Sequence, residues 1–119
     1  MHKTLFAGGE NISLRVPDAL FEKAIHFYAG TLGLETRQVD VDTYVVRYGP
    51  LVLWLDRCKE IEHCEVRLEL RTSDTTRASA HLQRAGVELL NAEPLPEGYD
   101  GFWIRSPLGD VVLVSASSA

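Results

Sequence analysis

Apolar and polar residues alternate in two separate stretches of the chain, and helical spacing follows each stretch. Ile12, Leu14 and Val16 alternate with polar residues, and the same period of two returns over 66–71. Apolar side chains four residues apart then predict amphipathic helices over 19–32 and 75–85. The chain therefore begins the same strand–helix sequence twice.

Three further strands are predicted after each helix, which makes the two halves alike. Asp18 and Asp74 are placed to cap the helices, and Gly33 and Gly86 to end them. The segment 57–63 is charged and has no period. The pattern predicts two βαβββ modules, about 10–56 and 64–115, joined by a linker at 57–63. The further strands are expected at 34–41, 43–48, 51–55, 87–90, 102–105 and 110–114.

Length, composition and charge narrow the class of protein. The 119 residues suit one domain, and 45% hydrophobic with 24% charged residues is typical of a globular protein. A net charge of −5 argues against nucleic-acid binding, and no apolar run is long enough to span a membrane. Cys58 and Cys64 do not make a disulfide framework, so we expect a cytoplasmic protein.

Several short motifs carry a resemblance to a known family. They are Ile12-Ser13-Leu14-Arg15-Val16-Pro17-Asp18, Phe27-Tyr28 with Leu32-Gly33-Leu34, Leu82 with Ala85-Gly86-Val87, and Ser106-Pro107-Leu108-Gly109-Asp110. In this order they resemble the vicinal oxygen chelate superfamily, which contains glyoxalase I, the bleomycin resistance proteins and the extradiol dioxygenases. An unrelated α+β domain is the alternative.

The resemblance implies an α+β fold and an assembly. Paired βαβββ modules would form a mixed sheet curled around a cavity, with the helices outside. A single pair of modules of this kind commonly dimerises, so a homodimer is expected.

The resemblance also implies four positions for a divalent metal, on the first and last strand of each module. The matching residues are Asn11, Leu53, Arg67 and Leu113. Leucine has no lone pair and arginine has no acceptor, so we predict that the metal is absent and that no cofactor replaces it. Cys58, His63 and Cys64 could form a separate cluster, but three donors in a charged segment are better interpreted as linker residues.

The same resemblance predicts a mostly apolar cavity wall with a few polar groups, as is usual for small-molecule sites. Leu51, Leu53 and Leu55 would line it beside the first strand, and Trp54 would fill core space. Trp103 is left open between stacking on a ligand and filling the core. The predicted ligand-binding residues are Asn11, Ser13, Arg15, Leu53, Arg67, Glu69, Trp103 and Leu113.

Two functions remain open on these grounds. The first is a metal-independent binding protein for a small molecule, as in the bleomycin resistance branch. The alternative is a divergent lyase or isomerase, in which Glu69, a weak candidate, or a tyrosine acts as acid or base. Arg15 and Arg67 would either grip an anionic ligand or pair with Glu69.

Overall fold

The order of helices and strands agrees with the two predicted modules. A computed structural model describes residues 5–91, 94–95 and 98–116, and within them no helix is long and apolar enough to cross a membrane. The fold is α+β, with two βαβββ modules. Its elements are β1 (Phe6–Pro17), α1 (Phe21–Ile25), β2 (Thr36–Asp40), β3 (Thr43–Tyr48), β4 (Leu51–Cys58), β5 (Glu65–Thr72), α2 (Thr75–Arg84), β6 (Glu88–Leu89), β7 (Gly101–Arg105) and β8 (Val111–Ala116).

Residues 10–67 form one compact unit, whose strands lie in the order β2-β3-β4-β1. β1 pairs with β4 in parallel, and the other two pairs are antiparallel. Ser13 lies opposite Trp54, and Leu14 lies opposite Leu55. Because paired residues point to the same face of a sheet, this register separates an apolar face from a polar one. β4 also runs to Cys58, two residues into the segment predicted as a linker.

Phe21 is the centre of the core in this unit. It is fully buried and packs with Val16, Val46, Leu53 and Leu55. The Phe21 ring meets Tyr44 edge-on, with centroids 5.9 Å apart, and the Arg57 guanidinium lies 4.4 Å from the Phe21 centroid. The helical segment therefore covers the apolar face of its sheet.

The first helix is less regular than its spacing predicts. A 3₁₀ turn (Asp18–Leu20) precedes α1, and a π-helical stretch (His26–Thr31) follows it. The prediction that Asp18 caps the helix was wrong, because Asp18 lies inside the 3₁₀ turn and its carboxylate accepts from Arg57 Nη1 at 2.7 Å. Gly33 follows with a positive φ of 68°, as expected of a residue that ends a helix.

The second unit comprises residues 1–9 and 68–119, and its strands lie in the order β5-β8-β7-β6. Asp74 caps α2 as predicted, accepting from the Arg77 backbone N–H at 3.0 Å. Ala78 of α2 is fully buried and packs against the core of Ile104, Val112 and Val114. The helix again covers one face of its sheet.

Replacing Phe21 with alanine should strongly destabilise the fold. We expect a loss of about 3–5 kcal/mol in the free energy of unfolding, because a large buried ring leaves a cavity. Urea denaturation followed by circular dichroism measures the change. Leu108→Ala is the control, since Leu108 is 92% exposed; its cost should be about 0.5 kcal/mol or less. Equal losses in both variants would contradict this account of the core.

Candidate functional site

Polar side chains gather on the face of the first sheet that lies opposite its helix. We call this the first polar face and define it by Asn11, Ser13, Arg15, Thr43, Trp54 and Asp56. The Trp54 indole N–H donates to Asn11 Oδ1 at 2.9 Å. The hydroxyls of Ser13 and Thr43 donate to Asp56 Oδ2 and Oδ1, at 3.0 and 3.1 Å. Three of the predicted site residues therefore lie together here.

The strand register corrects the predicted role of Leu53. This side chain is 4% exposed and belongs to the core with Leu55, so neither residue lines the polar face. Trp54 takes that place, which corrects its assignment as a core residue. The error arises because the last strands of the two modules, β4 and β8, are aligned by the turns that precede them. Trp54 pairs with Ser13 as Leu113 pairs with Glu69, so the correct match is shifted by one residue.

Asp56 is the functional candidate that sequence reasoning missed. The strand predicted over 51–55 ends one residue before Asp56, although Val52, Trp54 and Asp56 have the spacing of one strand face. That alternation is the signal that could have found it. The preceding run 51–55 is apolar at every position, so no polar residue within it marks which face of the strand Asp56 lies on.

In the second unit, the face opposite α2 is defined by Glu69, Arg71, Trp103, Leu113 and Ser115; we call it the second polar face. Arg67 lies on the same face of β5, two residues before Glu69. Glu69 is only 6% exposed. Its Oε1 accepts from Arg71 Nε at 3.1 Å, and Ser115 Oγ lies 3.5 Å from Oε2. Glu69 and Leu113 therefore lie opposite each other, on the strand face away from the helix.

The register of β7 settles the orientation of Trp103. It lies opposite Leu113, on the second polar face, and is 8% exposed. The Trp103 indole N–H donates to the Pro94 carbonyl at 3.0 Å. The ring is thus mostly buried on this face, and its polar edge bonds within the chain.

Gly9 allows the Glu69 carboxylate to lie against the backbone of β1. A Cβ atom at Gly9 would stand 2.2 Å from Glu69 Oε1, which is far inside van der Waals contact. At the neighbouring Gly8, a Cβ would meet nothing within 4 Å. The absence of a side chain at residue 9 therefore helps to position Glu69.

Comparison with solved structures identifies the architecture. The chain superposes on the Mn(II)-bound glyoxalase from Novosphingobium aromaticivorans with a TM-score of 0.67 and 24% identity, covering 90% of this chain and 38% of that one. Against the Y257F variant of homoprotocatechuate 2,3-dioxygenase from B. fuscum, the TM-score is 0.69 at 18% identity. That match covers 96% of this chain and 33% of the dioxygenase chain. The chain has the vicinal oxygen chelate fold.

A third neighbour matches over nearly the full length of both chains. Methylmalonyl-CoA epimerase from Mycobacterium tuberculosis gives a TM-score of 0.68 at 15% identity, with 100% of this chain and 93% of that one covered. By contrast, the chain spans between 30% and 40% of the glyoxalase and dioxygenase chains. No protein-family model and no curated protein sequence matches it. The comparisons thus confirm the suspected fold.

The metal site implied by the vicinal oxygen chelate fold does not fit this chain. With the corrected register, the four positions hold Asn11, Trp54, Arg67 and Leu113. Only the Asn11 amide oxygen among them can donate a lone pair, and it already accepts the Trp54 N–H. Within the described residues, no three His, Cys, Asp or Glu side chains are grouped as a metal site would need.

The Cys64 thiol, next to the predicted linker, is also a poor metal donor. Burial, followed by the charge of Glu65, raises the pKa of the Cys64 thiol. A raised pKa disfavours the thiolate that binds metals. Cys64 therefore gives no support to the alternative of a Cys–His cluster.

Gly9→Ala should disturb Glu69 and lower stability. The added methyl group overlaps the carboxylate, so we expect a loss of about 1–3 kcal/mol in the free energy of unfolding. Gly8→Ala is the matched control on the same strand, and its change should stay within about 0.5 kcal/mol. Urea denaturation of both variants measures the difference. Indistinguishable stabilities would show that Glu69 does not depend on residue 9.

Proposed function

We propose that this chain is a metal-independent small-molecule binding protein of the glyoxalase and bleomycin resistance type. The observation that carries the proposal is the side-chain chemistry at the four metal positions of the fold, where only Asn11 carries a donor. The Mn(II)-bound glyoxalase shares the fold, so its chemistry is the natural comparison. A chain without that donor set keeps the scaffold for binding but not the metal chemistry. A cytoplasmic location remains part of this proposal.

Hydrogen-bonded polar groups beside an aromatic ring support a binding role for the first polar face. Such a combination is typical of small-molecule sites, where a few positioned polar groups orient the ligand. Asn11, Ser13 and Arg15 stay in the proposed site, and Trp54 joins them. Leu53 leaves it because it packs in the core. In the second unit Glu69, Trp103 and Leu113 remain candidates, together with Arg67 on β5.

A lyase or isomerase is the second candidate, and one observation favours it. The Glu69 carboxylate is held in place by Arg71 and Ser115, and Gly9 leaves room for it. Positioned carboxylates serve as general acids or bases, and an epimerase is among the structures that share the fold. Against catalysis, the Glu69 side chain is only 3% exposed and is already paired with Arg71. We therefore place binding first.

Metal titration tests the main proposal. After chelation and dialysis, isothermal titration with MnCl₂, NiCl₂ and ZnCl₂ should show no stoichiometric binding, because the matching positions lack donors. Elemental analysis of protein purified without chelator is the independent measurement. One tightly bound equivalent per chain, retained after dialysis, would overturn metal independence.

A second experiment, with the variant Glu69→Gln, distinguishes the binding protein from the enzyme. Wild-type protein and the variant are screened for thermal stabilisation by a small-molecule library, and every stabilising compound is tested for turnover. A binding protein stabilises with its ligand and gives no product. Turnover by the wild type that is lost in a folded Glu69→Gln variant would establish the enzyme instead.

We also propose a homodimer, as the resemblance implies. Exposed apolar side chains on the first unit support a covering partner: Phe27, Leu32 and Tyr48 are 46%, 47% and 48% exposed. Light scattering at micromolar concentration should give twice the chain mass of 13.3 kDa. Phe27→Asp should shift the protein toward the monomer, whereas Leu108→Asp, at an apolar residue that is 92% exposed, is the control. A monomeric wild type would contradict the proposal.

A further inference from the structure

A groove lies between α2 and the start of β7 in the second unit, on the side of the sheet that α2 covers. Phe102 lies opposite Val114, which packs with Ala78 of the helix, so this side is turned away from the second polar face. The groove has a volume of about 350 Å³, which is within the range of small-molecule sites. We call it the α2–β7 groove and define it by its lining residues: Thr75, Thr76, Ser79, Ala80, Gln83, Asp100, Gly101 and Phe102.

The helix wall of the groove follows from the spacing of polar residues on α2. Thr75, Ser79 and Gln83 recur every four residues, so their side chains lie along one stripe of the helix. Ala78 stands on the neighbouring stripe, where it is fully buried against the sheet. Burial of Ala78 therefore fixes the rotation of α2 and turns the polar stripe toward the groove.

Backbone contacts hold the opposite wall, at the start of β7. The Ala116 N–H donates to the Asp100 carbonyl at 2.8 Å, which fixes the residue before the strand. A Cβ atom at Gly101 would stand 2.0 Å from the Val114 carbonyl oxygen, far inside van der Waals contact. Glycine at residue 101 thus lets β7 begin close against β8, and Asp100 is held across the groove from the helix.

The polar groups of the groove have no partners within the described chain. Five polar side chains line it, and among the residues that the structure describes none of the five makes a hydrogen bond or an ion pair: Thr75, Thr76, Ser79, Gln83 and Asp100. Hydroxyls and the glutamine amide both donate and accept, whereas a carboxylate only accepts. The groove therefore offers several donors and acceptors to a ligand.

Charge and an aromatic ring narrow the class of ligand. Asp100 is the one charged side chain among the described residues that line the groove, so the groove disfavours anions. The other polar groups are neutral hydroxyls and an amide, which match hydroxyl groups better than an ionic centre. The half-buried Phe102 ring adds an apolar surface for the C–H groups of a saturated ring. These features together fit a carbon ring that carries many hydroxyls.

We propose that the α2–β7 groove binds a neutral polyhydroxylated ring, a sugar or the sugar part of a larger molecule. Asp100 accepts from adjacent hydroxyls of the ring, the α2 hydroxyls and Gln83 bond to the remaining ones, and Phe102 packs against the C–H face. The site lies on the opposite side of its sheet from the second polar face. It therefore goes beyond the proposed function and does not depend on it.

The methyl glycosides of glucose, mannose and galactose are the probes, and cyclohexanol and tetramethylammonium are the comparators. Cyclohexanol has a ring of the same size with one hydroxyl, and tetramethylammonium has a positive charge without hydroxyls. Backbone amide signals of a ¹⁵N-labelled sample report where each compound binds. At least one glycoside should move the signals of Ser79, Gln83 and Phe102 along a saturable curve, with a dissociation constant of about 10 mM or tighter. The comparators should move these signals less.

Asp100→Asn should weaken glycoside binding about tenfold, because hydrogen bonds to a charged acceptor are roughly twice as strong as those to a neutral one. Glu62→Gln is the matched control, since Glu62 is an exposed carboxylate in the segment 57–63 and its removal should leave the affinity unchanged. Circular dichroism melting checks that the variants fold.

Ser79→Leu tests the helix wall independently. It removes a hydroxyl and places a larger apolar side chain in the groove, so it should abolish the saturable shift. Arg77→Leu is the control on the same helix, since Arg77 is exposed and does not line the groove. This second pair of variants keeps the inference testable if Asp100→Asn fails to fold.

Four outcomes would overturn the inference. They are no saturable shift from any of the three glycosides, an equally large response to either comparator, unchanged affinity in the folded variants Asp100→Asn and Ser79→Leu, and shifts confined to residues outside the α2–β7 groove. Glycoside shifts confined to Trp54 or Trp103 would support the proposed binding function and reject this site.

Discussion

The pairing register between β1 and β4 is the constraint on which the first unit depends. It places Leu14 beside Leu55 on one face and Ser13 beside Trp54 on the other. Because side chains alternate with a period of two, a slip by one residue would exchange the core with the polar face. Two kinds of interaction oppose that slip. Apolar side chains pack around Phe21 on one side, and the Trp54–Asn11 hydrogen bond joins the strands on the other.

Element order and most strand positions could be predicted because alternation and helix-ending residues are local signals. Gly33 and Gly86 have the positive φ angles, 68° and 84°, that their positions require. The face of β4 could not be predicted in this way, since 51–55 is apolar apart from the indole nitrogen. The internal repeat misled as well. Leu51 and Val111 each stand two residues after a glycine, which suggested that they match. However, a two-residue turn precedes Leu51 and a five-residue loop precedes Val111, and the two side chains lie on opposite faces of their sheets.

The two polar faces use their charged groups differently. On the second, the buried Glu69 carboxylate forms an ion pair with Arg71, and the Trp103 indole N–H donates to the Pro94 carbonyl. Both groups therefore have partners within the chain. Removing one partner from such a buried pair is costly, which makes a structural role for Arg71 expected. On the first, Asp56 accepts from the hydroxyls of Ser13 and Thr43, and no ion pair to it is found among the described residues. The two halves of a repeated fold have therefore diverged in electrostatics while keeping the same strand pairing.

The same divergence bears on the metal positions of the fold. A divalent ion needs several donors that converge on one point, and replacing donors by Trp54 and Leu113 removes that possibility whatever the backbone does. The same replacement adds an aromatic surface where a metal donor would stand. The Trp54 indole and the neighbouring Asp56 carboxylate lie on a sheet whose register the core already holds. The chemistry of this face is thus set by its side chains, and the fold supplies only their positions.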